Sequence, residues 1–278
     1  MTGRRRLLPS EKPEAPAEVR RWVARVTGLL ERHFGKPDPE KGDILLFPVK
    51  PSSAEPVGAG RVECPLFREE DPLEVLLHTI LSQNTNDTLR DRAYDRLRER
   101  FPTDEALSLA PVRSIASAIR VCGLHRQKAQ RIKRVLRWTR GRFGGLSLQA
   151  LCLMPTEEAF AALASVNGVG PKTAAVVLLF GCGRDIFPVD THCHRTVRRL
   201  GLVPWKLGRE QTFRAMQPLV PKGKALSLHL NLIHLGRTIC RAPRPRCCEC
   251  PLVEECRFPD KVMEPLAPSR RPSPTGRG

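Results

Sequence analysis

The sequence is poor in aromatic residues and has no long apolar run. Aromatic side chains make up 5% of the 278 residues, with a single tyrosine. The chain therefore lacks the series of exposed rings on which single-strand binders stack bases. No apolar run approaches the length of a membrane span, and the first residues resemble neither a secretory signal nor a transit peptide. These absences argue against a membrane protein and favour a cytoplasmic, reducing environment.

Acidic residues are also scarce relative to basic ones. The chain has 47 Lys and Arg against 29 Asp and Glu, a formal net charge of +18. Such an excess indicates a polyanionic partner, with nucleic acid as the first candidate and an acidic membrane surface as the second. It carries no information about the fold.

Alternating strand patterns are absent, and apolar residues recur instead at helical spacing. Val19, Val23 and Val26 form one apolar stripe, and prolines open several later helices. Residues 1–16 and 261–278 are rich in proline and charge, so we expect disordered tails there. The sequence predicts an all-α fold with helices near residues 19–30, 72–83, 87–101, 111–119, 127–143, 155–164, 171–180, 191–200, 209–219 and 224–239.

The most informative stretch is the cysteine loop, defined by Cys240, Cys247, Cys250 and Cys256 at the spacing C-x6-C-x2-C-x5-C. Four thiolates in so short a loop can ligate zinc or an iron–sulfur cluster, and the spacing alone leaves both open. The spacing matches no ferredoxin pattern, so electron transfer is not the first expectation. A disulfide framework fits poorly because the other cysteines are scattered singly.

The remaining cysteines and a histidine pair have plainer interpretations. Cys248 lies outside the ligand spacing and is interpreted as a spare thiol. His192 and His194 form an H-x-H pair, but no further acid or histidine cluster supports a metal there. Small apolar filler is the interpretation for Cys64, Cys122, Cys152, Cys182 and Cys193.

A second strong motif is the segment SVNGVGPKTAAVVLLF, residues 165–180. A helix end, a Gly-Val-Gly turn and a new helix opening with Pro171 describe two helices joined by a tight hairpin. The glycines permit positive φ and let a phosphate approach the backbone. A plain helix connection explains the turn equally well until Lys172 and the downstream VDTH (189–192) are considered. Asp190 of that segment also has a plain interpretation, as the N-cap of the helix that follows.

Taken in order, these motifs resemble those of the endonuclease III family of base-excision DNA glycosylases, in the helix-hairpin-helix superfamily. The match runs from about residue 71 to 256, roughly two thirds of the chain. The corresponding parts are the lesion-side loop LSQNTND (81–87), the wedge loop and following helix GLHRQKA (123–129), the hairpin GVGPKTA (168–174), VDTH with its catalytic aspartate, and the cysteine loop with its [4Fe–4S] cluster.

The resemblance implies a two-lobed fold with DNA bound across the cleft. A six-helix barrel would span residues 66–184, and a cluster domain would combine the N-terminal helix and connector (17–65) with residues 185–260. Lys172 is implied as the nucleophile. Asp190 is implied to stabilise charge and assist proton transfer.

The resemblance also suggests contacts with duplex DNA that carries a damaged base or an abasic site. Asn84 and Leu124 are expected to enter the duplex from opposite sides when the base is flipped out. Leu124 packing on the barrel is the plainer alternative, as a solvated face is for the basic helix at 126–142. Further contacts are expected from Lys128, Gly168, Gly170, Thr173, Arg241, Arg244 and Arg246.

Three features depart from the family pattern. Asn84 stands where bifunctional relatives usually have a glutamine. Pro171 removes a backbone donor beside the hairpin. The connector at 35–68 is longer than usual.

The predicted function is that of a monomeric bifunctional DNA glycosylase with AP-lyase activity. Oxidised pyrimidines are the family's expected substrates, and the cytoplasm, at the nucleoid in a bacterium, is the expected location. A monofunctional mismatch or uracil glycosylase is the nearest alternative, disfavoured by Lys172. An adenine-specific relative is disfavoured because no carboxylate occurs from Val75 to Asn86. A non-catalytic, redox-sensing DNA-binding protein and a zinc-stapled binding module are alternatives from other classes.

Overall fold

The computed structural model describes residues 16–37 and 71–264. Within these two ranges the chain is helical without a strand, which confirms the predicted all-α class. None of the helices in these ranges is long and apolar enough to cross a membrane. Cys64 and most of the predicted connector and tails lie outside the described residues.

Twelve α-helices form the described part of the chain, and every predicted helix is among them. The two that were not predicted, α4 and α7, have six and five residues, too few for a periodic apolar pattern. The helices are α1 (Ala17–Phe34), α2 (Pro72–Ser82), α3 (Asp87–Arg100), α4 (Asp104–Leu109), α5 (Val112–Ala118), α6 (His125–Phe143), α7 (Gln149–Leu153), α8 (Thr156–Ala164), α9 (Pro171–Val176), α10 (Thr191–Leu200), α11 (Arg209–Met216) and α12 (Ala225–Thr238).

Helix α2 lies at the centre of the first group of helices. Every residue from Pro72 to Leu81 is buried, and the helix packs against α3, α6 and α9. Pro72 begins the helix, where its missing N–H costs nothing. Asp71 caps it by accepting the N–H of Leu73 at 2.9 Å, and the same carboxylate accepts the N–H of Leu148 at 2.8 Å. One capping residue thus starts the central helix and anchors the chain that leads into α7.

A buried polar network holds α3 against α2. Glu74 accepts hydrogen bonds from Tyr94 and Arg98, and Arg98 also contacts Asp104 at 3.0 Å. A buried carboxylate is costly unless it is paired and hydrogen-bonded, so these partners explain why an acid is tolerated on an otherwise apolar helix. Asp104, the first residue of α4, is thereby tied to the same network.

The helix that begins at Pro171 changes geometry halfway along its length. After α9 the backbone continues as a π-helical turn, Val177–Gly181. This turn packs against α2, and Gly181 lies directly on Pro72. A side chain at residue 181 would collide with α2, so the glycine permits the close approach of the two helices.

The second group of helices combines the start of the chain with its last third. Helix α1 packs on α12, which also packs against α10. Lys224 donates to both carboxylate oxygens of Glu31 at 3.0 Å, and Ser227 donates to the same carboxylate at 2.5 Å. These contacts join α1 to the start of α12. The boundaries predicted for the two lobes stay a prediction.

The structure corrects the interpretation of Cys152 and Cys182 as separate apolar fillers. Their sulfurs form a disulfide, with the two Cα atoms 4.9 Å apart. It joins α7 to the end of the π-helical turn. The filler interpretation does hold for Cys122 and Cys193, which are buried free thiols.

We expect Gly181→Ala to destabilise the fold. An added Cβ would lie 2.8 Å from Cβ of Pro72 and 3.1 Å from its Cα, and the buried α2 has no free space into which it can shift. The cost should be about 1–3 kcal/mol in the free energy of unfolding, measured by equilibrium urea unfolding. Gly141→Ala is the matched control, since its Cβ meets nothing within 4 Å and should be neutral or stabilise by up to about 1 kcal/mol. Equal stabilities of the two variants would contradict this packing.

Candidate active site

The predicted hairpin connects α8 to α9 through residues 165–170. Val166 and Val169 are buried and anchor the turn, while Gly168 has φ +99°, a backbone conformation that strongly favours glycine. The side chain of Arg131 lies across Gly168. A Cβ added to this glycine would be only 3.0 Å from Cγ of Arg131. Gly170 is exposed and caps α9. The turn therefore presents an exposed Gly170 and a half-buried Gly168, of which Arg131 covers one side.

Lys172 lies in the first turn of α9 and is half-buried. Burial lowers the pKa of its ammonium, against the opposing influence of the Asp190 carboxylate, and the charge of Arg90 lowers it further. A lower pKa increases the fraction of neutral amine at a given pH. The structure thus provides a lysine that can act as a nucleophile and brings it near Asp190.

Asp190 occupies the N-cap position of α10, as its plain interpretation predicted. Its carboxylate accepts the N–H of Cys193 at 2.7 Å. Burial alone would raise the pKa of this carboxyl, but the positive charge that His229 takes up in the acid range and the N–H of Cys193 outweigh burial and lower the pKa. The carboxylate is therefore ionised, fixed by its bond to Cys193, and near enough to Lys172 for its charge to act on the lysine.

Cys193, which donates its N–H to Asp190, forms a buried pair with His229. The two residues come from α10 and α12, and Cys193 Sγ lies 3.5 Å from His229 Nδ1. His229 Nδ1 is also 3.0 Å from the carbonyl oxygen of Pro188, to which the neutral ring donates. Burial lowers the pKa of His229 to about 4. The imidazole of His229 is thus neutral at neutral pH.

Sequence reasoning did not select either His229 or Arg90. Arg90 is buried in α3 and pairs with Asp87 at 2.9 Å and with Asp91 at 2.7 Å. Asp87 also contacts Arg237 of α12 at 2.9 Å, so one ion-pair network links α3 with α12. A histidine within an apolar helix and an arginine in a charge-rich helix give no local signal that they face a site.

Two exposed loop tips lie where the resemblance implied DNA-entering residues. Helix α6 begins at His125, so the wedge loop consists of residues 122–124. Asn84, in the lesion-side loop, has φ +53°, and Leu124, in the wedge loop, has φ +47°. Among the described residues these are the only non-glycine residues with positive φ. Leu124 is 46% exposed, so it does not pack fully on the barrel. Asparagine tolerates this backbone conformation, whereas for leucine it costs about 1–2 kcal/mol.

The structure contradicts the phosphate contact predicted for Lys128. The side chain is fully buried, and its ammonium donates to the carbonyl oxygens of Leu81 and Cys122, each at 2.8 Å, and to Oγ1 of Thr85 at 2.6 Å. These bonds use all three donors of the ammonium group. Lys128 therefore joins the lesion-side loop to the wedge loop and cannot reach DNA.

A second correction concerns Thr173, which is 5% exposed. Its side chain packs inside the protein and is not available for the predicted DNA contact. The hairpin surface consists instead of backbone around Gly168 and Gly170.

The four cysteines of the cysteine loop line one pocket, together with apolar residues such as Leu200, Leu235 and Val253. Burial, with the repulsion between the thiolates, raises the pKa of Cys250 to about 12 and raises that of Cys256. Arg199 of α10 donates to Sγ of Cys240 at 3.4 Å. Cys248 is exposed and is not among the residues that line the pocket.

The side chains of the cysteine loop do not by themselves form a single-ion site. Within the described ranges, no group of three or more His, Cys, Asp or Glu side chains is placed to hold one metal ion. Of the arginines between the first two cysteines, Arg241 and Arg244 are exposed. Arg246 makes a two-point ion pair with Glu249, at 2.7 Å and 2.6 Å.

Known proteins with similar sequences and structures share this arrangement of helices. Residues 77–222 match the model of the HhH-GPD superfamily of base excision DNA repair proteins. Endonuclease III of Thermotoga maritima is 34% identical over 194 residues, covering 69% of this chain and 85% of that protein. A trapped endonuclease III–DNA covalent intermediate is 26% identical with a TM-score of 0.65, over 86% of this chain and 95% of that one. A non-covalent endonuclease III–DNA complex shares the fold, with a TM-score of 0.66 at 24% identity over the same fractions of the two chains.

We expect the buried His229 to make stability depend on pH. Its pKa is about 4 in the folded protein against 6.5 for the ordinary imidazole, so unfolding takes up a proton below pH 6.5. The stabilisation is complete above pH 6.5 and is lost as the pH falls towards 4. Between pH 7 and pH 5 the loss should be about 2 kcal/mol.

The variant His229→Asn tests this expectation. Asparagine keeps a side-chain N–H for the carbonyl of Pro188 but does not titrate, so the unfolding free energy should fall less between pH 7 and pH 5. His78, whose pKa burial lowers to about 3, titrates in both proteins and provides a common background. Identical pH dependence of the two proteins in urea unfolding would show that His229 is not buried as a neutral group.

Proposed function

Because the chain belongs to the endonuclease III family of the helix-hairpin-helix superfamily of base excision DNA repair proteins, we propose that Lys172 is its nucleophile. The enzyme is a DNA glycosylase of base excision repair. The single observation that carries the proposal is a half-buried lysine with a lowered pKa beside an ionised, N-capping aspartate. We propose oxidised pyrimidines as the substrates, in keeping with the family.

The base-removal step needs the neutral form of Lys172. The amine lone pair attacks C1′ of the damaged nucleoside, and the bond between C1′ and the base breaks with its electron pair on the base, which then takes up a proton. The attached nitrogen loses a proton, the bond from C1′ to the ring oxygen breaks, and that oxygen takes up a proton. The product is a Schiff base between Lys172 and the opened sugar.

The lyase step follows from the electron demand of the Schiff base. Loss of a proton from C2′ moves electrons towards the iminium carbon, and the bond from C3′ to its oxygen breaks with the phosphate as leaving group. Water then hydrolyses the imine and frees Lys172. The strand is nicked 3′ to the lesion by β-elimination, without oxidation or reduction.

Asp190 would act on charge and on protons in these steps. Its fixed carboxylate can stabilise the positive charge that develops at C1′ and on the attached nitrogen. It can also take protons from the lysine nitrogen. Its hydrogen bond to the N–H of Cys193 holds one oxygen in place, which keeps the carboxylate from turning away during the reaction.

Base flipping would involve the lesion-side loop and the wedge loop. Their tips, Asn84 and Leu124, are exposed and already have the left-handed backbone. Unstacking a base costs a few kcal/mol, and side chains must fill the space that is left. We propose that Leu124 enters the stack while Asn84 contacts the orphaned partner base. Further contacts with the phosphates are proposed for Gly168, Gly170, Arg241, Arg244 and Arg246.

The cysteine loop is proposed to hold a [4Fe–4S] cluster. The four cysteines line one largely apolar pocket, and burial with the repulsion between thiolates disfavours the thiolate forms of Cys250 and Cys256 without a compensating cation. The cluster would supply that compensation and would fix the arginine-bearing segment between Cys240 and Cys247. Its proposed contribution is structural, so no step of base removal depends on it.

Borohydride trapping tests the role of Lys172. Wild-type protein should become covalently attached to DNA with an abasic site when the Schiff base is reduced. Lys172→Gln should bind the DNA but give no trapped product. A monofunctional glycosylase would release the base without any trapped product, and full trapping by Lys172→Gln would assign the nucleophile to another amine. Asp190→Asn should lower the single-turnover rate by about 10²-fold or more.

Metal and sulfide analysis tests the cluster with a matched pair of variants. Anaerobically purified protein should be yellow-brown and contain about four irons and four sulfides per chain. Cys250→Ser should lose iron, because Cys250 lines the pocket, whereas Cys248→Ser should keep it, because Cys248 is exposed. Stoichiometric zinc without inorganic sulfide would replace the cluster with a zinc site.

A further inference from the structure

One face of α6 is turned towards three DNA-facing loops. Lys128 contacts the lesion-side and wedge loops, as described above. One turn later, Arg131 lies across Gly168 and donates to the side chain of Gln83. Arg134, a further turn along, donates to the carbonyl oxygen of Asn167 in the hairpin at 2.7 Å. Three basic side chains at i, i+3 and i+6 therefore connect the loops to one rigid helix.

The environment of Lys128 sets it apart from the other two. Its ammonium is held by oxygens of Leu81, Thr85 and Cys122, and no carboxylate of residues 16–37 or 71–264 pairs with it. A buried cation is costly unless its donors are satisfied, so the three oxygens must all stay within hydrogen-bond distance of the ammonium nitrogen. The hydroxyl of Thr85 also donates to the carbonyl of Cys122, which makes a direct link between the loops.

We propose that Lys128 is a positioning residue that holds the lesion-side loop and the wedge loop at a fixed separation, so that Asn84 and Leu124 enter the duplex together. This rests on the function proposed above and adds a residue that touches neither the DNA nor the reacting atoms. The contacts of Lys128 lie close to both tips in the chain: Thr85 follows Asn84 directly, and Cys122 precedes Leu124 by two residues.

Fixed spacing matters because the two tips must act at the same time. Two loops that move independently lose conformational freedom when both insert, and that loss adds to the cost of unstacking. Loops already fixed by Lys128 have lost that freedom during folding. The effect should appear on duplex substrates, where the stack must open, and should be absent on single strands.

The test compares one abasic site in two settings, opposite guanine in a duplex and in the same oligonucleotide as a single strand. Single-turnover nicking and borohydride trapping are measured on both. Lys128→Met should lower the duplex rate by tenfold or more and leave the single-strand rate within twofold of wild type. Thr85→Val, which removes the hydroxyl that joins the two loops, should lower the duplex rate in the same selective way.

Lys133→Met is the matched control on the same helix. Lys133 also donates to a carbonyl oxygen, that of Ser108, but this lies at the end of α4, on neither the lesion-side nor the wedge loop. Its loss should leave the ratio of duplex rate to single-strand rate unchanged. The proposal would be overturned if Lys128→Met and Thr85→Val each lost as much rate on the single strand as on the duplex. It would also be overturned if both variants kept the wild-type ratio of duplex rate to single-strand rate.

Combined substitutions separate positioning from general damage to the fold. In a background that carries Asn84→Ala and Leu124→Ala, the addition of Lys128→Met should have little further effect on the duplex rate, because the tips it positions are gone. A full additional loss would overturn the proposal. If Lys128→Met fails to fold, the same measurements are made with Thr85→Val, in the wild-type protein and in the background that carries Asn84→Ala and Leu124→Ala. Trapping by Lys172→Gln reports separately on the nucleophile, so failure of the proposed chemistry and failure of the positioning role give different results.

Discussion

The hydrogen bond from the N–H of Cys193 to the carboxylate of Asp190 is the contact on which the site depends. It begins α10 and at the same time fixes an acid beside Lys172. Later residues of the same helix reach the cysteine loop: Arg195 donates to the carbonyl of Cys240 at 3.0 Å, and Arg199 donates to its sulfur. One helix therefore connects the acid of the site to the cysteine pocket, and the position of either end constrains the other.

Local patterns were sufficient to predict most of the fold and the N-cap at the candidate site. Helical spacing, prolines at helix starts and the Gly-Val-Gly turn are set by neighbouring residues, so the helices, the all-α class and the N-cap at Asp190 were predicted correctly. The short helices α4 and α7 depend on contacts with other helices, such as the ion pair between Asp104 and Arg98. No periodic signal existed for them.

Long-range partners explain the errors. Lys128 resembles the exposed arginines of α6 in sequence, yet its acceptors are 47, 43 and 6 residues away. Cys152 and Cys182 are 30 residues apart, and nothing near either one indicates the other. Net charge correctly indicated a nucleic-acid partner, but a count of basic residues does not show that Lys128, Arg131 and Arg134 donate hydrogen bonds to loops of the protein itself.

Because Leu124 has a left-handed backbone, selection for folding stability and selection for side-chain shape act separately at the tip of the wedge loop. Glycine would suit this backbone best, and every other common side chain except asparagine and aspartate bears a similar conformational cost. Exchanging leucine for another apolar side chain without a branch at Cβ, such as methionine or phenylalanine, would therefore leave folding stability nearly constant while changing the size and shape of the tip. With Leu124 in the proposed role of a wedge, residue 124 can in consequence diverge among descendants of this protein according to the DNA that they open, with little compensating change in the rest of the fold. A glycine there would indicate that selection for a wedge had been lost.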